Sequence, residues 1–268
     1  MIFRYPGGKT KIANLITEFI YPKFISSGSN SFYEPFIGGG SVSCKIAKDF
    51  PNCMFFVNDK NEYLYSFWKL FEENNEDKFK KLYELLEVIP TTELFQKLRN
   101  TLPQTDVEKA YYSIFFNRTT FSGIYSAGPI GGVEQKSKWT VDCRYNFKSM
   151  FSKIEQMREL FKNRLFVSNL DVKEFLQAVN PNAIMYLDPP YYVKGKMLYE
   201  NYMLEKEHIA MAEELKKRTN WVLSYDICKE IDLLYEFAKK TPLNMRYSIN
   251  GKKENWIKKD EYMIESKL

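Results

Sequence analysis

The chain has 268 residues, 44% hydrophobic and 27% charged, a globular composition that excludes a fibrous or wholly disordered protein. Lysine and arginine (39) outnumber aspartate and glutamate (34), giving a formal charge of +5 with 16% aromatic residues, a balance that suits a polyanionic partner without demanding one. A single histidine, His208, excludes a histidine-rich metal site. Four cysteines, at 44, 53, 143 and 228, contain no Cys-x-x-Cys and indicate neither a zinc ribbon nor a disulfide framework.

After Gly7 and Gly8, apolar residues Ile12, Leu15, Ile16, Phe19 and Ile20 recur at helical spacing and predict a helix to about Lys23. Ser31 to Phe36 reads as a strand running into a glycine turn, followed by a helix from about Ser41 to Phe50. A second strand spans Cys53 to Asn58, with a helix from about Glu62 to Glu72. This alternation predicts an α/β fold with a parallel sheet. From Asn74 to Phe116 the pattern is helical and charged, and Thr119 to Phe147 is an irregular stretch rich in glycine. A helix is expected from about Met150 to Arg164, then strands at 165–169, 183–187, 221–225 and 244–249. The last of these is expected to pair with 261–265 through an Asn250-Gly251 turn. His208 falls in the first turn of what reads as a surface helix. No apolar run reaches the eighteen or so residues of a membrane span, and no signal peptide is evident, so a reducing, cytoplasmic setting is expected.

Two segments carry chemistry. In Glu34-Pro35-Phe36-Ile37-Gly38-Gly39-Gly40, glycines at a strand-to-helix turn let the backbone approach a bound nucleoside. Asp59, on the next strand and 21 residues after Gly38, can accept hydrogen bonds from ribose hydroxyls. Ser43 stands where a dinucleotide fingerprint places its third glycine, which favours a nucleoside cofactor without pyrophosphate. In Ile184-Met185-Tyr186-Leu187-Asp188-Pro189-Pro190-Tyr191, an apolar strand ends in an acid, two stiffening prolines and a ring. Asp188 and the Pro189 carbonyl offer two acceptors beside a flat ring, a set suited to the exocyclic amino group of a stacked base.

With Phe3-Arg4-Tyr5-Pro6-Gly7-Gly8-Lys9 ahead of these segments and Val57-Asn58-Asp59 between them, the chain resembles the Dam-like (D12 class) DNA adenine-N6 methyltransferases along essentially its whole length. The resemblance implies a Rossmann-like α/β methyltransferase domain (1–72 and 165–268) with a mainly helical target-recognition insertion (73–164). It implies S-adenosylmethionine as methyl donor, bordered by Tyr5, Lys9, Glu34, Phe36, Gly38, Gly40, Asp59, Asp171 and Asp188. Catalysis is expected from Asp188, Pro189, Pro190 and Tyr191, with Tyr191 stacking on a flipped-out adenine. Cytosine-C5 chemistry is disfavoured, because that family's nucleophilic cysteine follows a proline and none of the four cysteines here does.

Double-stranded DNA is the implied partner, beside which a cognate restriction endonuclease could act; no membrane is involved and a monomer is expected. Between Glu134 and Arg164, eight basic residues face four acidic ones, most of the chain's net charge, and phosphate contacts are expected from Lys136, Lys138 and Arg144. Asn117 and Arg118, at the head of the glycine-rich loop, are of types that read adenine and guanine edges. Phe121, Ile124 or Tyr125 could intercalate. The segment with Lys194, Gly195, Lys196, Tyr199 and Tyr202 reads equally as a lid or a plain connection, and Lys252 and Lys253 as a solvated loop. Rival readings are a methyltransferase acting on RNA adenine or protein glutamine, and a silent DNA-binding protein of the same fold.

Overall fold

The computed structural model describes residues 1–4, 9–192, 203–248 and 256–267. Tyr5, the segment with Lys194, Gly195, Lys196, Tyr199 and Tyr202, and the Asn250-Gly251 turn with Lys252 and Lys253 lie outside the described residues. The helices are α1 (Ala13–Ser27), α2 (Ser41–Asp49), α3 (Glu62–Glu73), α4 (Glu76–Glu87), α5 (Thr92–Arg99), α6 (Asp106–Thr119), α7 (Phe147–Phe161), α8 (Val172–Ala178), α9 (Glu205–Lys216) and α10 (Lys229–Leu234). The strands are β1 (Ser31–Glu34), β2 (Met54–Asn58), β3 (Leu165–Ser168), β4 (Ile184–Leu187), β5 (Trp221–Asp226), β6 (Lys239–Ser248) and β7 (Trp256–Glu265), in a seven-stranded sheet. Local chemistry sets many of the boundaries. Asn61 and Asn146 cap α3 and α7, and Thr105 with Glu108, and Asp171 with Glu174, form capping boxes on α6 and α8.

The chain divides into two compact units. The first comprises Met1–Asn14 and Ile37–Asn169. Its strands β2 and β3 run parallel, Phe55 opposite Leu165 through Asn58 opposite Ser168. Helix α6 packs along α3, and α7 packs on α2 and α3, so helices from the 73–164 stretch share one interior with β2 and β3. That interior is a chain of rings: Trp68 lies 5.6 Å from both Phe71 and Phe161, and Phe161 lies 5.3 Å from Phe55. Helix α6 is buried on almost every side, and its apolar residues hold no single stripe.

The second unit comprises Leu15–Phe36 and Leu170–Leu268. Its strands lie in the order β1-β4-β5-β7-β6; β1, β4 and β5 are parallel, and β7 is antiparallel to both β5 and β6. Strand β4 is buried at every position, as its unbroken apolar run requires. Met185, Leu187, Trp221, Leu223, Tyr225 and Tyr235 form the core with Met211 and Leu215 of α9, each full burial contributing about 1.5–3 kcal/mol before entropy is counted.

The alternation of parallel strands and helices is the Rossmann-like α/β arrangement expected from sequence. Among the elements that outrun their expected bounds are α1, β6 and β7. Helix α1 continues to Ser27, with the Ser26 and Ser27 hydroxyls donating to the Lys23 carbonyl. Strand β6 starts at Lys239 and runs through Pro242, which an edge strand tolerates because one row of its backbone donors has no partner to lose.

Candidate active site

In the first unit, the carboxyl end of β2 forms a hydrogen-bonded knot. Asp59 Oδ2 accepts from the Gly38 main-chain N–H at 2.9 Å, and Oδ1 accepts from the Asn61 N–H at 3.0 Å. The Ile37 N–H donates to the Asn58 carbonyl, and Asn169 Nδ2 to the Asp59 carbonyl at 2.7 Å. Gly38 and Asp59, 21 residues apart in sequence, thus meet directly. The protein surrounds the carboxyl end of this half-buried residue, and burial raises its pKa from the ordinary 3.8 to about 6 against the pull of the two N–H donors.

Gly38 and Gly40 both take left-handed backbone conformations (φ 48° and 67°), for different ends. A Cβ on Gly38 would meet nothing within 4 Å, whereas one on Gly40 would lie 2.3 Å from the Trp68 ring. Trp68 cannot yield, since its Nε1–H donates to the Gly38 carbonyl at 2.9 Å and the ring is fully buried. Gly38 is therefore the open face of the turn, and Gly40 the packing point of α2 on α3. Lys9, in a 3-10 turn (Lys9–Lys11), is buried.

The expected base readers face inward. Asn117 is buried, accepting from the Arg4 main-chain N–H at 2.8 Å and donating to the Arg4 carbonyl at 3.0 Å. Arg118 is buried with a guanidinium nitrogen donating to the Ile2 carbonyl. The pair pins the N-terminal segment to the end of α6. Tyr125 packs within that loop, 4.8 Å from Phe116 and 5.5 Å from Tyr63, with Arg99 5.0 Å over its ring. Phe121 is an exposed ring of that stretch, at 69%. Lys136 and Arg144 are exposed, Lys136 pairing with Glu134 at 2.6 Å, and Lys138 lies 5.6 Å over the exposed Trp139 ring. Two further bases of the 134–164 run are structural: Arg158 pairs with Glu76 and Glu155 over Phe79, and Arg164 donates to the Ala47, Phe50, Pro51 and Leu160 carbonyls.

In the second unit, Asp188 follows β4 directly and its Oδ1 accepts from Ser224 Oγ of β5 at 2.9 Å. Tyr186 OH lies 2.9 Å from the same Ser224 oxygen. A serine has one hydroxyl proton, here given to the carboxylate, so Tyr186 donates to Ser224 and Ser224 to Asp188. Pro189 is buried and Pro190 half-buried. The Tyr191 ring is buried with its hydroxyl donated to Glu261 of β7, and the Tyr192 N–H donates to Asp226 at 3.2 Å. Glu34, at the end of β1, is buried and Phe36 packs against the unit's core. Asp171 is the N-cap of α8, its Oδ1 accepting from the Lys173 N–H at 2.9 Å.

Ser224 and Glu261 reach Asp188 and Tyr191 only through strand pairing, 36 and 70 residues away in sequence. His208 departs from its surface expectation: it is buried, hydrogen-bonded through Nδ1 to Tyr225, 4.9 Å from the Tyr192 ring, and burial lowers its pKa. The signal was present, since His208, Met211, Ala212 and Leu215 share one helical face.

The chain is 24% identical over 204 residues to the Type II methyltransferase M.MjaIII of Methanocaldococcus jannaschii, covering 70% of this chain and 68% of that protein. It is 26% identical over 201 residues to the Type II methyltransferase M1.LlaDCHI of Lactococcus lactis subsp. cremoris, covering 70% of this chain and 64% of that protein. The rRNA methyltransferase aviRa of Streptomyces viridochromogenes is similar in structure at a TM-score of 0.40 and 11% identity, over 97% of this chain and 86% of that one. Residues 5–249 match the model of the D12 class N6 adenine-specific DNA methyltransferases, and the chain belongs to that family.

Proposed function

We propose that the protein transfers a methyl group from S-adenosylmethionine to N6 of an adenine flipped out of duplex DNA, with Asp188, Pro189, Pro190 and Tyr191 as the acceptor-side residues. The observation that carries this reading is the Asp188 turn itself, a carboxylate at the end of a fully buried strand whose orientation is fixed by Ser224. The residues also fit the donor. Gly38 is a left-handed turn with open space where a side chain would stand, beside an acceptor, Asp59, suited to ribose hydroxyls. Lys9, Glu34, Phe36 and Asp171 are assigned to the same donor, Gly40 to the packing of its turn.

Bound S-adenosylmethionine supplies an electrophilic methyl group on a positively charged sulfonium. The protein's task is then to make a poor nucleophile competent and aligned. An aromatic amino nitrogen delocalises its lone pair into the ring; hydrogen bonds from its two N–H groups to the Asp188 carboxylate and the Pro189 carbonyl draw it toward a localised, tetrahedral form, and the one surplus proton left after methylation departs to solvent by way of Asp188. Tyr191, anchored at its hydroxyl by Glu261, presents a ring of fixed position. Extruding a base costs a few kcal/mol, which stacking partly offsets. Residues 1–72 and 165–268 carry the chemistry and 73–164 the duplex contacts. Phe121, an exposed ring of its loop, is assigned to fill the gap left in the base stack, with Lys136, Lys138 and Arg144 on phosphates.

Incubation with labelled S-adenosylmethionine should place label in duplex DNA as N6-methyladenine. Label confined to RNA or protein, or duplex binding without transfer, would overturn the reading.

Cofactor binding should also depend on pH through Asp59. Its carboxylate is the acceptor, so affinity is full above a pKa of about 6 and falls about tenfold by pH ~5. Because the folded pKa lies above the unfolded 3.8, this group's contribution to stability moves oppositely, greatest at low pH and declining as pH rises from 3.8 to about 6. Calorimetric affinity of Asp59→Asn should be weak and flat with pH; a slope equal to the wild type's would remove Asp59 from the site.

A further inference from the structure

The first unit gathers positive charge that its own hydrogen bonds leave uncompensated. Arg118 is only 8% exposed, and its buried Nε–H has no partner among the described residues. Arg4 is held beside it by the Asn117 amide, which satisfies both the main-chain N–H and the carbonyl of Arg4. Arg144, from the loop before α7, and Lys153, of α7 itself, complete the group. Burial, then the charges of Arg4 and Arg144, lower the Arg118 pKa to about 10; burial, then Arg118 and Arg4, lower that of Lys153. Among the described residues no carboxylate pairs with any of the four.

Like charges held together repel, and a buried donor without an acceptor forfeits its hydrogen bond. A multiply oxygenated anion reverses both penalties at once, whereas a neutral base edge reverses only the second. We propose that Arg4, Arg118, Arg144 and Lys153 form a binding site for one phosphodiester group, supplied by the backbone of the DNA substrate. The identity of that ligand rests on the DNA reading above; the anion site itself does not. Arg118 would then act on the duplex phosphate through its charge, behind the exposed Arg4 and Arg144, while its terminal nitrogen holds the Ile2 carbonyl.

The test uses the full chain and spares the buried Arg118. Arg4→Ala, Arg144→Ala, Lys153→Ala and the triple variant are compared with wild type in two arms. In the first, thermal unfolding is followed in inorganic phosphate against chloride at equal ionic strength. Wild type should be stabilised by phosphate, since an anion bound only by the folded state raises the melting temperature, and the triple variant should lose that shift. In the second, the affinity for a duplex of arbitrary sequence is measured against salt. Neutralising one phosphate gives a slope of about 0.9 in log–log form, so the triple variant should lose about 0.9 in all, because its three charges serve one phosphate.

Loss of roughly three such increments would mean three separate contacts and would overturn the shared site. No phosphate-specific shift in wild type would overturn the anion site. A phosphate shift with an unchanged duplex slope would overturn DNA as its source, and methyl transfer into DNA by wild type, measured alongside, separates that outcome from failure of the proposed activity.

Discussion

Replacing Asp188 by alanine should lower methyl transfer by about a hundredfold to a thousandfold, the range seen when a preorganised charge-stabilising group is removed. The carboxylate sits at the end of a strand buried at all four positions, and alanine creates no clash there, so the fold should persist. Cofactor affinity should change far less than turnover, because the group polarises the acceptor nitrogen. Ser224→Ala provides the graded companion. It removes the hydroxyl that orients Asp188 and leaves the Tyr186 hydroxyl without its acceptor, with an expected loss of about tenfold in kcat from a hydrogen bond to a charged group. Steady-state kinetics on duplex DNA check both, and substantial residual turnover in Asp188→Ala would remove it from the reacting centre.

Gly40→Ala and Gly38→Ala should differ sharply although the residues are two apart in one motif. At Gly40 the new Cβ would meet the Trp68 ring at 2.3 Å. The ring is held by its bond to the Gly38 carbonyl and by Phe67, Phe71 and Phe161 around it. Left-handed strain of about 1–2 kcal/mol and overpacking of about 1–3 kcal/mol should together destabilise the protein by about 2–5 kcal/mol. At Gly38 only the backbone strain applies, and the side chain enters the open space assigned to the donor. Gly38→Ala should therefore lose only the backbone strain of about 1–2 kcal/mol while binding S-adenosylmethionine weakly. Urea unfolding and calorimetry distinguish the two, and equal losses of stability would contradict the division of roles.

Much of the site was legible because its parts are local. A glycine turn after a strand, an acid one strand later and an acid followed by two prolines keep their meaning wherever the chain goes, since strand-to-helix turns sit at the carboxyl ends of parallel strands. Residues whose partners lie far along the chain were not legible in the same way. Asn117 and Arg118 have side chains suited to base edges, yet the nearest acceptors are the carbonyls of Arg4 and Ile2, more than 110 residues away in sequence. Two of the eight basic residues of the 134–164 run are taken up in the same way, Arg158 by Glu76 and Glu155 and Arg164 by four carbonyls.

By itself the sequence determined the fold class, the family and the residues at the two turns, because hydrophobic periodicity and turn chemistry are written in short range. Tertiary structure alone decided which polar side chains remain available. It set Ser224 behind Asp188 and Glu261 behind Tyr191, turned His208 inward, and gathered Arg4, Arg118, Arg144 and Lys153 into one positive cluster. Hydrogen bonds and fields act through space, so the partners that fix a polar group's role emerge only when remote strands and helices pack.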